Sequence, residues 1–294
     1  MRYTASNGNA PSGRRWQDAS GARERGLGML RYRIISALVA GPLVLLLVWL
    51  GKGWTTALVA LGAALALNEF HRLTVRRDAT LLLMLGIVAC VLLVVQATVE
   101  MHFLGPLLAG AVVATLMLLV LLPQKERLLA DWGWTLAGVM LIGYSLSHAI
   151  LIRKVIPDGR EWLFSLVLLT FAVDTGAYVM GRLFGRRRMA PTISPRKTWE
   201  GAAGGTMAGM GAAVALNAVY GLGVSIPSML VLGALIAIFA QLGDLSLSVV
   251  KRAAGAKESG ALIPGHGGIL DRVDSLIPAV LVLYYFLVYG IGVA

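Results

Sequence analysis

Long apolar blocks alternate with short polar connections along the whole chain. A helix needs about 20 mostly apolar residues to cross a hydrocarbon core of about 30 Å. On that spacing the sequence predicts nine membrane helices, over 33–50, 54–71, 80–98, 103–122, 133–152, 162–181, 200–220, 226–246 and 275–293. The first two are read as a tight helical hairpin about Gly51, Lys52 and Gly53, because together they are too long for one crossing. The expected fold class is therefore all-α, a polytopic integral membrane protein with no obvious soluble domain and no clear sequence repeat. Two connections, 182–199 and 247–274, are long and rich in Gly, Pro and charge.

Composition sharpens this reading. Of the 294 residues, 57% are hydrophobic and 14% charged, against about 45–50% and about 25% in soluble domains. The net charge of +11 does not point to nucleic acid, because the basic residues cluster between apolar blocks. There they orient helices and meet anionic headgroups. With the N-terminus inside, all but four of the 26 Lys and Arg residues fall on the cytoplasmic side, as the positive-inside rule requires. Both long polar connections then face the cytosol. Residues 1–28 are polar, basic and rich in Gly and Ser, and read as an uncleaved flexible cytosolic tail. Residues 29–155 read as N-terminal membrane helices, and 156–294 as the membrane region that carries the chemistry. The single Cys90 gives no disulfide framework, and four scattered histidines give no zinc motif.

A charge inside hydrocarbon costs about 2.5–3.5 kcal/mol on insertion scales, so the few carboxylates in apolar blocks are informative. Asp174 lies about two turns from the cytoplasmic end of its predicted helix, and Asp244 lies near the end of another, beside Gly243. Glu69, close to Arg72, reads as one half of an interfacial ion pair. After Asp244 come Lys251, Arg252, Lys257 and Arg272, which can neutralise phosphate oxygens. Gly265, Gly267 and Gly268 flank His266, so the backbone can turn several N–H groups toward an anion. Asp271 and Asp274 share a helical face and repel unless a cation intervenes. Magnesium accepts one or two carboxylates plus phosphates and water, and Asp244 with Asp271 can supply that pair. The plain alternative is a basic loop resting on headgroups, which needs neither the glycine turn nor the acids. In the other connection, Arg186–Arg188 read as a lipid anchor, whereas Ser194, Arg196, Lys197 and Thr198 precede a helix N-terminus, a favourable place for phosphate. Glu200 complements the helix dipole, and Gly201, Gly205 and Gly209, spaced by four, read as close helix packing.

These residues resemble a known family. Ser248-Val-Val-Lys251-Arg252, then Lys257-Glu258-Ser-Gly260, then Ile263-Pro-Gly-His266-Gly-Gly268-Ile-Leu-Asp271-Arg272-Val-Asp274 is similar to the signature of the phosphatidate cytidylyltransferases. Asp174-Thr-Gly-Ala-Tyr178 through Arg182, Ser194 through Gly201, and Gly243-Asp244 add to the likeness, which covers the C-terminal 130 residues or so. Glu258 departs from the family's usual Asp, which puts a metal-ligand role at that position in doubt. The resemblance implies an all-helical dimer in the bacterial inner membrane, with an active site facing the cytoplasm. The activity it implies joins CTP and phosphatidic acid into CDP-diacylglycerol and pyrophosphate. It implies Mg²⁺, alone or with a second cation; from their placement, Asp244 and Asp271 are assigned to the ion, with Asp174 and Asp274 as further candidates. Lys197, Lys251, Arg252 and Arg272 would hold phosphates, and His266 with its glycines would cradle the leaving group. Two other readings use the same residues: a CTP-dependent kinase of a polyprenol or phytol type, and an ion-coupled transporter built on Asp174 and Asp244.

Overall fold

The computed structural model describes residues 41–75, 78–99, 104–121, 127–262 and 267–292. The predicted tail over 1–28, the start of the first predicted helix, and Ile263 to His266 lie outside the described residues. Helical residues 41–49 form α1, followed by α2 (Lys52–Thr74), α3 (Thr80–Gln96) and α4 (Leu104–Leu121). Then come α5 (Leu128–Lys154) and α6 (Gly159–Phe184), the strands β1 (Arg188–Ala190) and β2 (Ser194–Thr198), and α7 (Trp199–Tyr220), α8 (Ile226–Ala253) and α9 (Leu270–Gly290). Every predicted block meets a helix. Five of them, α5 to α9, are long and apolar enough to cross a membrane. The chain is a helical membrane protein.

Two departures from the sequence reading bear on chemistry. The connection expected over 182–199 begins later, because α6 runs on to Phe184, and it folds into a β-hairpin with Arg188 opposite Thr198 and Ala190 opposite Ser194. The connection expected over 247–274 begins later, because α8 runs on to Ala253. Its end carries the two bonds of a left-handed glycine stop: Gly255, at φ +68°, donates to Arg252 O, and Ala256 N–H donates to Lys251 O. Lys251 and Arg252 therefore belong to a helix, and their positions are fixed by its register.

The N-terminal half packs α2, α3 and α5 around Leu67, Phe70, Cys90, Leu93 and Ile142, all essentially buried. In the C-terminal half, α6, α7 and α8 approach through small residues, as the four-residue spacing in α7 predicts. A side chain at Gly201 would meet Ala177 O at 2.8 Å, at Gly205 it would meet Val173 O at 2.9 Å, and at Gly209 it would meet Gly233 O at 3.1 Å. Bare backbone on backbone leaves little freedom for one helix to slide on the next. Gly243 packs on α9 in the same way, facing Asp274 O and Pro278. The acid-bearing turns of α8 and α9 are held together by that contact.

Candidate active site

The site grows from a polar stripe on α8. Gln241, Asp244, Ser248 and Lys251 recur at three- and four-residue steps, so they share one helical face. Ser248 Oγ lies 3.4 Å from Asp244 Oδ1. Strand β2 supplies the next group. Side chains alternate along a strand, which puts Lys197 on the opposite face from Arg196. Lys197 Nζ reaches Asp244 Oδ2 at 2.6 Å, whereas Arg196 is exposed. Asp174 on α6 is exposed and makes no hydrogen bond or ion pair among the described residues. It feels the repulsion of Asp244 and the attraction of Lys197 and Arg272.

The second half of the site is buried. Lys251 Nζ lies 2.6 Å from Asp271 Oδ1 and 3.8 Å from Asp274 Oδ2. Asp274 is itself repelled by both Asp244 and Asp271, so the four aspartates form one electrostatic chain from α6 through α8 to α9. Lys197, Lys251 and Arg272 are interleaved with them. Such a set favours a further cation or a substrate arriving with one.

The oxygens of Asp271 are already engaged. Oδ2 accepts from Ser259 N–H at 2.9 Å, Gly268 N–H at 3.1 Å and Ser259 Oγ at 3.0 Å, while Oδ1 takes the Lys251 ammonium. The expectation that Gly268 N–H turns toward an anion therefore meets a different arrangement, in which that donor points to Asp271. Gly267 carries the left-handed turn foreseen for this segment, at φ +77°. His266 lies outside the described residues. Among the described residues, no three carboxylate, imidazole or thiol groups converge to hold a metal ion. Asp174 is exposed, so its oxygens are open to a cation that takes its remaining ligands from phosphate and water. Asp244 meets Lys197 and Ser248, and both oxygens of Asp271 are engaged by Lys251, Ser259 and Gly268.

Several predicted phosphate-binding residues have structural partners. Thr198 is buried and caps α7, accepting from Gly201 N–H at 3.1 Å. Arg252 bonds Ile193 O and Ala256 O, both at 3.1 Å, so it ties the hairpin turn to the end of α8. Glu200, read as a dipole complement, also accepts from the backbone N–H groups of Arg186 and Arg187 at 3.1 and 3.2 Å. Ser194 is half-buried and Lys257 exposed.

One residue named in the sequence has a different role from the one expected. Glu69 is no surface ion pair. It is 6% exposed and accepts from Ser259 Oγ at 2.7 Å, Ile269 N–H at 3.0 Å and Leu270 N–H at 2.9 Å. The available signal was a carboxylate in the last turn of an apolar block, weaker than the one that singled out Asp174 because it lies so near the block's end.

Known proteins resemble the chain over most of its length. Residues 31–290 match the profile described as the cytidylyltransferase family. A phosphatidate cytidylyltransferase of Brucella melitensis is 38% identical over 264 residues, covering 87% of this chain and 93% of that protein. One from Pseudomonas aeruginosa is 35% identical over 86% of this chain and 94% of its own length. One from Bacillus subtilis is 30% identical over 88% and 97%. With nearly full coverage on both sides and the aspartate-lysine site in place, the chain belongs to the cytidylyltransferase family.

Proposed function

We infer that the protein transfers the cytidylyl group of CTP to phosphatidic acid, giving CDP-diacylglycerol and pyrophosphate. The observation that carries this reading is the chain of Asp174, Asp244, Asp274 and Asp271 interleaved with Lys197, Lys251 and Arg272, in a member of a family whose relatives bear that activity in their names. An oxygen of the lipid phosphate attacks the α-phosphorus of CTP. The bond from that phosphorus to the oxygen bridging toward the β-phosphorus breaks, and pyrophosphate leaves with the electron pair. The nucleophile is already an anion, so the protein need supply no strong base. Its contribution is to place two polyanions in line and to offset their charge.

Asp244 and Asp174 would hold Mg²⁺, with Asp274 in reach of their field; the ion, when bound, supplies charge neutralisation at the phosphates. Lys197 is half-buried and Arg272 exposed, and both would meet arriving phosphate. Lys251, close to both, offsets the repulsion between Asp271 and Asp274. The placement of basic residues supports a cytoplasmic N-terminus, nine crossings and a site opening to the cytosol. That orientation gives the site access to cytosolic CTP and laterally mobile phosphatidic acid, in the inner membrane of a bacterium. The working unit is a homodimer, as the family resemblance implies.

The decisive experiment incubates purified protein with α-labelled CTP, phosphatidic acid and Mg²⁺. Labelled CDP-diacylglycerol with release of pyrophosphate is the expected result. Release of CDP with phosphorylation of an added polyprenol would instead identify a lipid kinase. Ion uptake into proteoliposomes without CTP turnover would identify a transporter.

A further inference from the structure

We propose that Glu69, in the N-terminal half of the chain, is a positioning residue that sets Ser259 and the start of α9, with Asp271, for cytidylyl transfer. This rests on the functional reading above. Glu69 and its partners lie about 190 to 201 residues apart in sequence, so no local folding rule brings them together. The carboxylate is 6% exposed, and among the described residues it makes no ion pair. A buried charge without a counter-charge is costly unless several donors converge on it. Three do: the Ser259 hydroxyl and the N–H groups of Ile269 and Leu270. The last two are among the orphan donors at the start of α9, which have no partner inside their own helix. Glu69 thus fixes the start of the helix that carries Asp271 and Asp274.

The glycines around it give independent support. A Cβ at Gly260 would stand 2.8 Å from Glu69 Oε1, and one at Gly268 would overlap both the Glu69 carboxylate and the Ser259 hydroxyl. Both strands of the connection are bare where they close on this one side chain. Ser259 links the clamp to the reacting groups. Its hydroxyl lies 2.7 Å from Glu69 Oε2 and 3.0 Å from Asp271 Oδ2, yet it has one proton to donate. Its own N–H also bonds Asp271 Oδ2. A change at Glu69 is therefore felt at Asp271, which in turn holds Lys251. Glu69 touches no reacting atom and acts through these intermediates.

The test uses the full-length protein with Glu69→Gln, Ser259→Ala and the double variant. It measures kcat, KM for CTP, amide hydrogen exchange at Ile269 and Leu270, and thermal unfolding in detergent. Glu69→Gln sets an NH₂ against a donor and is expected to lower kcat by about 10²-fold, the scale of a roughly 1 Å misplacement. KM for CTP should stay within about threefold, because no substrate contact is removed. Exchange at Ile269 and Leu270 should rise. The double variant should be little worse than Glu69→Gln alone, since both changes break one linkage. Should Glu69→Gln not fold, Ser259→Ala decides by the same kcat and exchange readouts. Faster exchange with unchanged kcat, or losses that multiply in the double variant, would overturn the proposal. A wild-type protein that makes no CDP-diacylglycerol sinks the functional reading and, with it, the catalytic consequence claimed for Glu69; the exchange data then still report whether the clamp itself exists.

Discussion

Lys197 Nζ stands 2.6 Å from Asp244 Oδ2 and so joins the hairpin strand β2 to the middle of the acidic cluster. Both side chains keep about a quarter to a third of their exposure, at 27% and 33%. An ion pair this open to solvent contributes only about 0–1 kcal/mol to stability. Its weight lies in electrostatics, because it places a mobile cation where Asp244 and Asp174 repel each other.

Lys197→Met is accordingly expected to fold normally, with thermal stability changed by no more than about 1 kcal/mol. Catalysis should suffer, with kcat/KM for CTP falling roughly 10²-fold as a charge-stabilising group is lost. The assay is formation of labelled CDP-diacylglycerol. A variant with wild-type kcat/KM would remove Lys197 from the phosphate-binding set.

Lys251 presents the opposite case. Its side chain is 9% exposed, and it bonds an Asp271 carboxylate that is 10% exposed. Removing one partner of a buried pair costs about 3–5 kcal/mol, because the other charge is left without compensation. Lys251→Met should therefore lower the unfolding temperature well below that of Lys197→Met. Equal unfolding temperatures for the two variants would contradict the burial argument.

Asp271→Asn separates folding from function. The amide keeps one oxygen, which can still accept from Ser259 and Gly268, but turns an NH₂ toward Lys251 Nζ. Folded, membrane-inserted protein with turnover reduced by about 10²- to 10³-fold is expected. Near-wild-type turnover would show that Asp271 is dispensable for transfer.

Much of this architecture was legible in the chain. The apolar blocks located every described helix, because membrane length is a strong constraint. The spacing of Gly201, Gly205 and Gly209 announced the α7 contacts. The ends were harder. Gly255 stops α8 by a glycine motif that the density of charge around Lys251 obscured, so a helical face was read as a loop. Asp174, Asp244, Asp271 and Asp274 were all singled out in the sequence, yet how each is engaged depends on Lys197 and Ser259, which approach from other elements. Glu69 was misread because its partners are on the far side of the sequence, and nothing local distinguishes a clamp from an interfacial acid.

Removal of divalent cations gives a direct test of the pair Asp174 and Asp244. Chelation with EDTA should abolish turnover, and added Mg²⁺ should restore it. Asp174→Asn leaves Asp244 and its bond to Lys197 in place but removes one of the two carboxylates suited to the ion. The Mg²⁺ concentration for half-maximal rate should then rise by about tenfold or more, the scale of a lost ligand or its support. An unchanged Mg²⁺ dependence would assign the ion elsewhere.

The two sides of the connection can also be compared through glycine. Gly62 lies in α2 with open space where a Cβ would stand. Gly62→Ala should leave activity intact and stabilise the helix by about 0.5–1 kcal/mol, through the lower backbone entropy cost of alanine. Gly268→Ala adds the same methyl where the Glu69 carboxylate and the Ser259 hydroxyl already sit. To accept it, the segment must withdraw from Glu69, which carries the Gly268 N–H off Asp271 Oδ2 as well. Overpacking of this kind costs about 1–3 kcal/mol, and the displaced acid should take most of the activity with it. Assayed side by side for unfolding temperature and CDP-diacylglycerol formation, the two variants should diverge in both. Equal behaviour would mean that the segment can close without Glu69 between its strands.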